Sequence, residues 1–420
     1  MKRTKVPKIL MVSLLFILQA AVLCLAGGEK ESAAPTTTAV SVVKIGNLLP
    51  LSGGLANDGA QQKRGFDLAV EEINAAGGIK SLGGAKMELI YADSRGEPQV
   101  GMSEVEKLIT VEKVSLVTGA FQSSVTLPTT SVAEKYRIPY YVPNATSDAI
   151  TEQGFKYTFR SSPKAGFGTR DIVNFLLEMG TELNDEVKNM AIIYEDTEGG
   201  QTFAAGMRHW AEEKNLPIIF EEAYPHGTSD VSPMIAKLKA AKPDALVANS
   251  YVQDAILIGA TIVELQFRPK VMVGWGGYGD PAFLKSGSQQ GWCIAGVWTK
   301  GLNNRWTDKF TKDFESKYDI TASMHAAIGY HGAYVIKEAL ELAGSTDSEK
   351  LAEAFRTLRI TDQDHKALIL PYGEIYFDEK GQCPTARYIM GQYQGDTSTT
   401  VWPVEVAPKG TEIIWPIPAR

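Results

Sequence analysis

A serine lies at the point where an apolar, strand-like run gives way to a helical segment. Ser123 belongs to the stretch GAFQSS (119–124), which is followed by TLPTTSVAEKY. We expect this serine to be the N-cap of the helix. The start of a helix offers unpaired backbone N–H groups and a partial positive charge, so a carboxylate can bind there beside a serine hydroxyl without an arginine. Two interpretations stay open: Ser123 binds an anion, or it only caps its helix.

Two further polar loops follow predicted strands. The loop PNATSD (143–148) comes directly after the apolar run 138–142, and NSYVQDA (249–255), which contains Tyr251, follows the run 245–248. In open α/β sheets, ligands gather at the carboxyl ends of the strands, so both loops qualify as ligand-contacting loops. The alternative is structural, because Asn, Thr and Asp favour turns and buried tyrosines often only fill space.

The elements that position these loops repeat a strand–helix pattern. Residues 44–49 form a short apolar run, a glycine turn interrupts it at 52–54, and apolar residues recur at helical spacing from 66 to 73. Similar apolar runs alternate with amphipathic stretches as far as residue 275. Three further helices are expected at 306–318, 326–342 and 351–358. The simplest fold that accounts for this alternation is α/β, with two doubly wound lobes built on parallel sheets.

Composition and charge exclude several classes of protein. The 420 residues carry a formal net charge of −7, which becomes −11 without residues 1–26, because that stretch holds four basic residues and no acid. No basic run with interleaved aromatic residues is present, which argues against nucleic-acid binding. The length exceeds a usual single core, so at least two domains are expected. The five histidines show no paired metal spacing and GxSxG is absent, so no metal, cofactor or catalytic set is predicted.

The chain begins like an exported protein. Four basic residues precede an apolar stretch from Ile9 to Leu18, and small residues surround Cys24. This pattern predicts a cleaved signal peptide over residues 1–26. The stretch is short for a spanning helix, so a membrane anchor is the weaker alternative. Lipid attachment at Cys24 is a second alternative. It is disfavoured because Leu23 stands at a position where lipoprotein signals place a small residue. Residues 27–41 are small and polar and are expected to form a flexible leader.

Residues 44–79 resemble the opening of the type I periplasmic solute-binding proteins of ABC transporters, the family whose best-known members bind leucine, isoleucine and valine. The resemblance extends from about residue 42 to the last Trp-Pro segment. It implies two lobes joined by a three-segment hinge, with chain crossings near 159–162, 298–301 and 377–381. The N-terminal lobe would then comprise residues 42–160 and 300–379, the C-terminal lobe 161–299 and 380–406, and an extension 407–420.

In this arrangement of the chain, Cys293 and Cys383 lie at comparable distances from the predicted chain crossings. In an oxidising compartment this suggests a disulfide, and two separate thiols are the alternative.

The resemblance also implies which residues bind the ligand. The serine that matches Ser123 holds the ligand carboxylate in the family's amino-acid binders. The loop that matches 143–148 contacts the same head group, which carries over to Asn144 and Thr146. Tyr251 matches a tyrosine that closes over the ligand from the second lobe.

Aromatic residues could complete the pocket. Trp275 and Tyr278 could wall it from the second lobe. His325 aligns near an aromatic pocket position, although a surface location is the default for a histidine.

The departures from the family concern the amino group of the ligand. The family's acidic partner for that group aligns with Gly276, and two pocket tyrosines are replaced by Asp58 and Gly199. A buried ammonium without a partner is costly, so either another acid substitutes or the ligand is not an α-amino acid. The candidate substitutes are Glu195, Asp196, Glu198 and Asp280.

Together these features predict an exported solute-binding protein. It would trap a small carboxylate-bearing solute, such as an amino acid, and deliver it as a monomer to an inner-membrane ABC permease, without catalysis. A sensory module for a membrane receptor is the first alternative, since its clamp residues would be the same. An exported hydrolase is the second, and it lacks a recognisable nucleophile and base.

Overall fold

The computed structural model describes residues 40–417 of the chain. The predicted signal peptide, the lipid-attachment candidate Cys24 and residues 27–39 of the predicted leader lie outside the described residues. Within residues 40–417, no helix combines the length and the apolar character that crossing a membrane requires.

Strands and helices alternate along most of the chain. The strands of the described residues are β1 (Val42–Leu49), β2 (Lys86–Asp93), β3 (Leu116–Gly119), β4 (Tyr140–Val142), β5 (Thr158–Arg160), β6 (Met190–Glu195), β7 (Ile218–Tyr224), β8 (Ala245–Ser250), β9 (Val271–Gly276), β10 (Cys293–Gly296), β11 (Arg359–Ile360), β12 (Ile375–Tyr376), β13 (Ile389–Gln394) and β14 (Thr397–Trp402). Their α-helices are α1 (Ala56–Ala75), α2 (Pro98–Thr110), α3 (Ser123–Tyr136), α4 (Ala165–Glu182), α5 (Glu198–Glu213), α6 (Ser232–Ala241), α7 (Val252–Glu264), α8 (Thr307–Tyr318), α9 (Met324–Ala343) and α10 (Ser348–Thr357). Short 3-10 helices cover Lys80–Leu82, Asp148–Thr151, Gly277–Gly279, Pro281–Ser286, Lys366–Ile369 and Val404–Val406.

The first lobe is built on a five-stranded sheet with the strand order β2-β1-β3-β4-β5, in which every pair is parallel. Strand β1 is buried over most of its length, including Val43, Ile45 and Leu48. A parallel strand that is covered on both faces reads as a near-continuous apolar run, which is why residues 44–49 predict it well. Because all five strands are parallel, their carboxyl ends meet at one edge of the sheet.

Helices α8, α9 and α10 return to this lobe. Phe310, Tyr330 and Phe355, one from each helix, share a hydrophobic core with β1 and α1. Helix α9 approaches α1 closely, since a Cβ placed on Gly65 would lie 1.9 Å from the carbonyl oxygen of Ala326. The absence of a side chain at this position therefore lets the first turn of α9 lie against the middle of α1.

The second lobe is built on a seven-stranded sheet with the order β14-β13-β10-β9-β8-β6-β7. Strands β6 to β10 form a parallel block, whereas β13 and β14 are antiparallel. A tight turn at Gly395, with φ of +71°, joins these two strands, and so short a connection can only reverse the chain. The predicted two-lobed α/β fold with parallel sheets is confirmed, and the antiparallel strand β14 is an addition that the alternating pattern did not predict.

Two of the three predicted chain crossings lie side by side. The backbone N–H of Arg160 donates to the Gly381 carbonyl at 2.7 Å, and that of Cys383 donates to the Arg160 carbonyl at 2.8 Å. The Arg160 side chain also donates to Gln382 Oε1 at 2.6 Å. Adjacent crossing segments suit a hinge. The hinge itself and the residue limits of the lobes remain a prediction.

The predicted disulfide between Cys293 and Cys383 is wrong. Both residues are free thiols, buried in different hydrophobic cores. Cys293 begins β10 opposite Gln392, whose amide nitrogen lies 3.5 Å from its sulfur. Cys383 precedes β13 and contacts Thr385 Oγ1 at 3.2 Å. The predicted chain crossings indicate how far each cysteine lies from the hinge, but not which hydrophobic core its side chain enters. The alternative of two separate thiols is correct.

Candidate functional site

A cavity of about 770 Å³, counting the part open to solvent, lies between the two sheets. It is found where strands of both lobes end, which is the place where open α/β sheets bind small molecules. The residues that line it are Asp58, Phe121, Ser123, Asn144, Ala145, Thr146, Ser162, Pro163, Glu195, Thr197, Gly199, Gly200, Asn249, Ser250, Tyr251, Trp275, Gly276, Gly277, Val297, Met324, His325, Ile328 and Tyr388.

Three helices begin at this cavity. In each case a strand ends, a short connection follows and a helix starts, from β3 to α3, from β6 to α5 and from β8 to α7. Residues of all three connections line the cavity. Because the N–H groups of a first helical turn are unpaired and carry a partial positive charge, this arrangement is suited to an anion.

Ser123 lies at the start of α3, but it is not the N-cap. Gln122 is the N-cap residue, and no side chain caps the helix. The Ser123 hydroxyl oxygen instead accepts the backbone N–H of Ser147 at 3.1 Å and that of Thr146 at 3.3 Å. The capping prediction is wrong because the helix begins at Ser123 itself, which directs the hydroxyl to the neighbouring loop. Since both contacts use the oxygen as an acceptor, its O–H can still donate to an anion in the cavity.

The loop after β4 carries two of the predicted site residues, Asn144 and Thr146, and both line the cavity. A fully buried arginine holds this loop from behind. The guanidinium of Arg160 donates to the Ser147 carbonyl at 2.6 Å and to Thr151 Oγ1 at 3.0 Å. Burial lowers the pKa of Arg160 to about 10, which leaves it charged at neutral pH. Arg160 was not among the predicted site residues, because its only signal in the sequence is a basic side chain within a predicted chain crossing.

Two of the three aromatic residues predicted from the second lobe line the cavity. Tyr251 is the N-cap residue of α7, and its ring centroid lies 6.5 Å from that of Phe121 in the first lobe. Trp275 lies near the end of β9, is 5 % exposed and packs edge-on against Tyr388 with centroids 4.6 Å apart. The cavity thus has aromatic surface on both sides.

Tyr278, the third, does not line the cavity. It is fully buried in the second lobe, where its ring stacks on Trp292 with centroids 4.5 Å apart. Its hydroxyl lies 3.3 Å from Ser250 Oγ. The 3-10 turn 277–279 directs the ring into the core. Tyr278 therefore supports Ser250, which lines the cavity, and does not line the cavity itself.

Glu195 ends β6, is 2 % exposed and lines the cavity. Its carboxylate accepts the backbone N–H of Tyr251 and lies 3.4 Å from Nδ1 of His226, which is 3.1 Å from Asp254. Burial raises the pKa of the Glu195 carboxyl to about 7. Hydrogen bonds to Asp254 and then to Glu195 raise the pKa of His226 to about 10. A protonated imidazole therefore lies between two carboxylates, and Glu195 keeps acceptor capacity for a group in the cavity.

The position of the missing family acid cannot carry a side chain without strain. Gly276 has a φ of +78°, which L-residues rarely adopt. A Cβ at this position would lie 2.7 Å from the Ser250 carbonyl oxygen. The loss of the acid is therefore built into the backbone of the turn after β9.

Of the four acids considered as substitutes, Glu195 lines the cavity. Asp196 is exposed. Glu198 accepts the hydroxyl of Ser147 at 2.8 Å, a contact between the second lobe and the first. Asp280 is 2 % exposed and is not among the residues that line the cavity. Glu195 is thus the substitute that the geometry favours.

The two replaced tyrosine positions bring different chemistry. Gly199 lies in the first turn of α5, and a Cβ on it would be 3.6 Å from Ser123 Oγ, so its missing side chain leaves room beside that hydroxyl. Asp58 lies in the first turn of α1 and is 1 % exposed. His325 is 5 % exposed, with Nδ1 3.6 Å from Asp58 Oδ1, so the default of a surface histidine is wrong.

Two groups within the described residues have side chains of the types that bind metal ions, and in each the donor atoms lie within 4.8 Å of one another. These groups are Asp58, Asp280 and His325, and Glu195, His226 and Asp254. The second group is bonded internally and to the backbone N–H groups of Tyr251 and Gly227. The first group retains unpartnered atoms on Asp58 and His325.

Known proteins of similar length resemble this chain. A family model described as a periplasmic binding protein matches residues 42–398. Leu/Ile/Val-binding protein homolog 7 of Brucella suis is 31 % identical over 383 residues, which covers 86 % of this chain and 91 % of that protein. Homolog 8 of the same organism is 30 % identical over 398 residues, which covers 90 % and 95 %.

Solved structures share the fold. The branched-chain amino acid transporter substrate binding protein LivJ of Streptococcus pneumoniae, in complex with isoleucine, has a TM-score of 0.74 at 23 % identity, with 85 % of this chain and 97 % of that chain covered. A solute binding protein of a Rhodopseudomonas palustris ABC transporter, in complex with benzoate, has a TM-score of 0.75 at 20 % identity, with 89 % and 99 % covered. On the family model and the Brucella relatives, this chain belongs to the periplasmic binding protein family.

Proposed function

We propose that this chain is an exported solute-binding protein that captures a small carboxylate-bearing solute, an amino acid, between its lobes and delivers it to an ABC transporter permease. The observation that carries the proposal is the cavity between the two sheets, at which three helices begin and which Ser123 lines. The ligands named for the two structural neighbours fit this chemistry, because isoleucine and benzoate both carry a carboxylate. The relatives named for leucine, isoleucine and valine support an amino acid.

The carboxylate end of the solute binds at the start of α3. Ser123 donates its hydroxyl proton, Asn144 and Thr146 complete the contacts from the first lobe, and the first turns of α3 and α5 supply partial positive charge. Gly199 leaves the space that the carboxylate occupies.

The amino group of the solute binds at Glu195. The carboxylate of Glu195 lines the cavity and keeps acceptor capacity beyond its contacts to Tyr251 and His226. A buried ammonium needs such a partner, and Gly276 cannot provide one. Glu195 therefore takes over, from β6, the role that the family gives to an acid after β9.

The solute stabilises a closed cleft. The Ser147 hydroxyl donates to Glu198 across the cleft at 2.8 Å, and Tyr251 approaches Phe121 from the opposite wall. A solute that contacts both walls adds to these interactions only when the lobes are together, so it shifts the population towards the closed form. We propose that this closed form, as a monomer and without a cofactor, docks on the permease.

A binding measurement on the mature protein tests the proposal. Protein stripped of solute by unfolding and refolding is screened by thermal shift against amino acids, and the hit is titrated calorimetrically beside its carboxamide, which keeps the shape and lacks the negative charge. We expect the carboxamide to bind at least about a hundredfold more weakly, because it loses a charge-assisted interaction. Equal affinities for acid and amide would remove the carboxylate site from the account.

A matched pair of serine variants locates the site. Ser123→Ala should weaken binding of the hit by about tenfold or more, because one hydrogen bond to a charged group is lost. Ser124→Ala, the next residue of the same helix and outside the cavity lining, should leave the affinity unchanged. An equal effect of both variants would contradict the assignment.

Export rests on residues 1–26, and mass spectrometry of the native protein tests it. We expect a mature chain that begins at Gly27 in the extracytoplasmic fraction. A retained N-terminal segment, or a lipid on Cys24, would contradict cleavage after Ala26.

A further inference from the structure

A buried carboxylate and a buried imidazole form one wall of the cavity. Asp58 lies in the first turn of α1 and is 1 % exposed, and His325 is the second residue of α9 and is 5 % exposed. The two helices also approach closely at Gly65, in the middle of α1, where a Cβ would lie 1.9 Å from the carbonyl oxygen of Ala326. Both residues line the cavity, so a solute that fills it meets them directly.

Each of these side chains has one buried polar atom without a partner among the described residues. Asp58 Oδ2 and His325 Nδ1 are buried and have no hydrogen-bond partner among residues 40–417. Asp58 Oδ1 lies 3.6 Å from His325 Nδ1, which is longer than a hydrogen bond. A buried carboxylate oxygen without a donor is costly, and such atoms call for an explanation. On the wall of a ligand cavity, the simplest explanation is a donor that the solute brings.

A second acid approaches the same place from the other lobe. Asp280, which follows β9, has a carboxylate oxygen within 4.8 Å of the facing atoms of Asp58 and His325. Asn57 lies 3.4 Å from this carboxylate, at the long end of a hydrogen bond. Burial, and then the charge of Asp58, raise the pKa of Asp280 above its usual range. Closure of the cleft therefore brings two carboxylates together, and a positive charge beside Asp58 would relieve their repulsion.

We propose that Asp58 binds a cationic nitrogen of the transported solute, separate from the carboxylate at Ser123 and the amino group at Glu195. The solute class is then a small amino acid whose side chain ends in an ammonium or a guanidinium group. A cation is favoured over a neutral amide because the ionised carboxylate of Asp58 only accepts, and a second carboxylate, that of Asp280, lies within 4.8 Å although it does not line the cavity. The ring of His325 packs edge-on against Phe121, with centroids 4.8 Å apart, and shields the site from water. This inference rests on the proposed function and narrows its substrate class.

Isosteric solutes test the inference without any mutation. In 2,4-diaminobutyrate an ammonium replaces the terminal methyl group of norvaline, and ornithine is related to norleucine in the same way. We expect the stripped mature protein to bind the cationic member of at least one pair about tenfold or more tightly than its partner. Equal affinities within both pairs, or a preference for the methyl member, would overturn the inference. Glutamine that binds as tightly as ornithine would overturn the cationic class.

A second arm assigns the preference to one carboxylate. Asp58→Asn keeps the shape and should reduce the preference within the pair by about tenfold, with the melting temperature unchanged or raised because an unpartnered buried charge is removed. Asp67→Asn is the control, since Asp67 lies on the same helix but outside the cavity, paired with Lys63 at 2.7 Å. An undiminished preference in Asp58→Asn, or an equal reduction in Asp67→Asn, would contradict the assignment.

The outcomes separate this inference from the proposed function. If no carboxylate-bearing solute binds, both are wrong. If norvaline or isoleucine binds wild type and Asp58→Asn alike, and binds more tightly than its carboxamide, only the substrate class is wrong. Titration of chelator-treated protein with Zn²⁺ or Ca²⁺ alone tests the remaining possibility. Metal binding that Asp58→Asn abolishes, without any preference within the solute pairs, would assign Asp58 to a metal ion and overturn the inference.

Discussion

Replacement of Glu195 by glutamine should weaken binding and remove its pH dependence. Glutamine keeps an oxygen that can accept the backbone N–H of Tyr251, so the turn into α7 should survive. Loss of one member of a buried charge pair costs about 2–5 kcal/mol. The lower part of this range applies, because His226 already neutralises part of the Glu195 charge. We therefore expect the dissociation constant to rise about 30- to 150-fold.

The pH profile makes this prediction specific. With its pKa raised to about 7 by burial, Glu195 loses its charge as the pH falls through neutrality. The wild-type affinity should then fall about tenfold per pH unit below 7 and level off above about 8, whereas Glu195→Gln should show no such slope. A carboxyl whose folded pKa is raised stabilises the fold below its unfolded pKa and loses that contribution as the pH rises through 7. The solute-free variant should therefore be at least as stable as wild type at pH 8.

Calorimetric titrations at pH 6, 7 and 8 measure these effects, and Asp196→Asn is the control. Asp196 is the next residue, is exposed and lies outside the cavity lining. The reasoning is refuted if Glu195→Gln retains the wild-type affinity, if it keeps the pH slope, or if Asp196→Asn has the same effect.

Four further predictions follow from the same geometry. Gly199→Leu should fill the space beside Ser123 and weaken binding at least about a hundredfold with the fold retained. Gly199→Ala should have a smaller effect, because its Cβ makes an ordinary contact at 3.6 Å. Titration measures the loss of affinity, and circular dichroism shows whether the variant is still folded. Gly276→Glu should not restore the family acid but should destabilise the fold by about 1–3 kcal/mol in urea denaturation, and a stable variant with tighter amino-acid binding would contradict this. Arg160→Met should lower the free energy of unfolding by about 3–5 kcal/mol, because buried carbonyls lose a charged donor, and an unchanged urea midpoint would contradict this. Cys293 and Cys383 should both be alkylated in denatured, unreduced protein and neither in folded protein, as peptide mass spectrometry can show; a linked peptide pair would restore the disulfide.

Much of the fold could be predicted because its signals are local. The apolar runs of β1, β6 and β8 are buried on both faces, so they stand out from the amphipathic helices between them. Strand β14, which pairs antiparallel with β13, was missed because it depends on a turn at Gly395 instead of on the repeated strand–helix unit. Periodicity gives the type of an element but not the direction in which an edge strand is added.

The site was predicted less completely because its residues act across the fold. Ser123, Asn144, Thr146, Tyr251 and Trp275 do line one cavity. Their contacts with a ligand stay a prediction.

Other site features could not be read from the sequence. Tyr278 adjoins the cavity lining but is turned into the core by a 3-10 helix, which sequence spacing does not reveal. Arg160 supports the loop after β4 from another strand, and Asp58 meets His325 only because α1 and α9 approach each other. These relations depend on long-range packing.

Carboxylate binding at Ser123 can be seen directly in a crystal structure of the mature protein with the solute that it retains from its native host. We expect electron density in the cavity between the lobes, with a carboxylate oxygen within hydrogen-bond distance of Ser123 Oγ and an amino nitrogen at Glu195. A retained solute without an anionic group at Ser123, or one bound outside this cavity, would show that the carboxylate site is wrong.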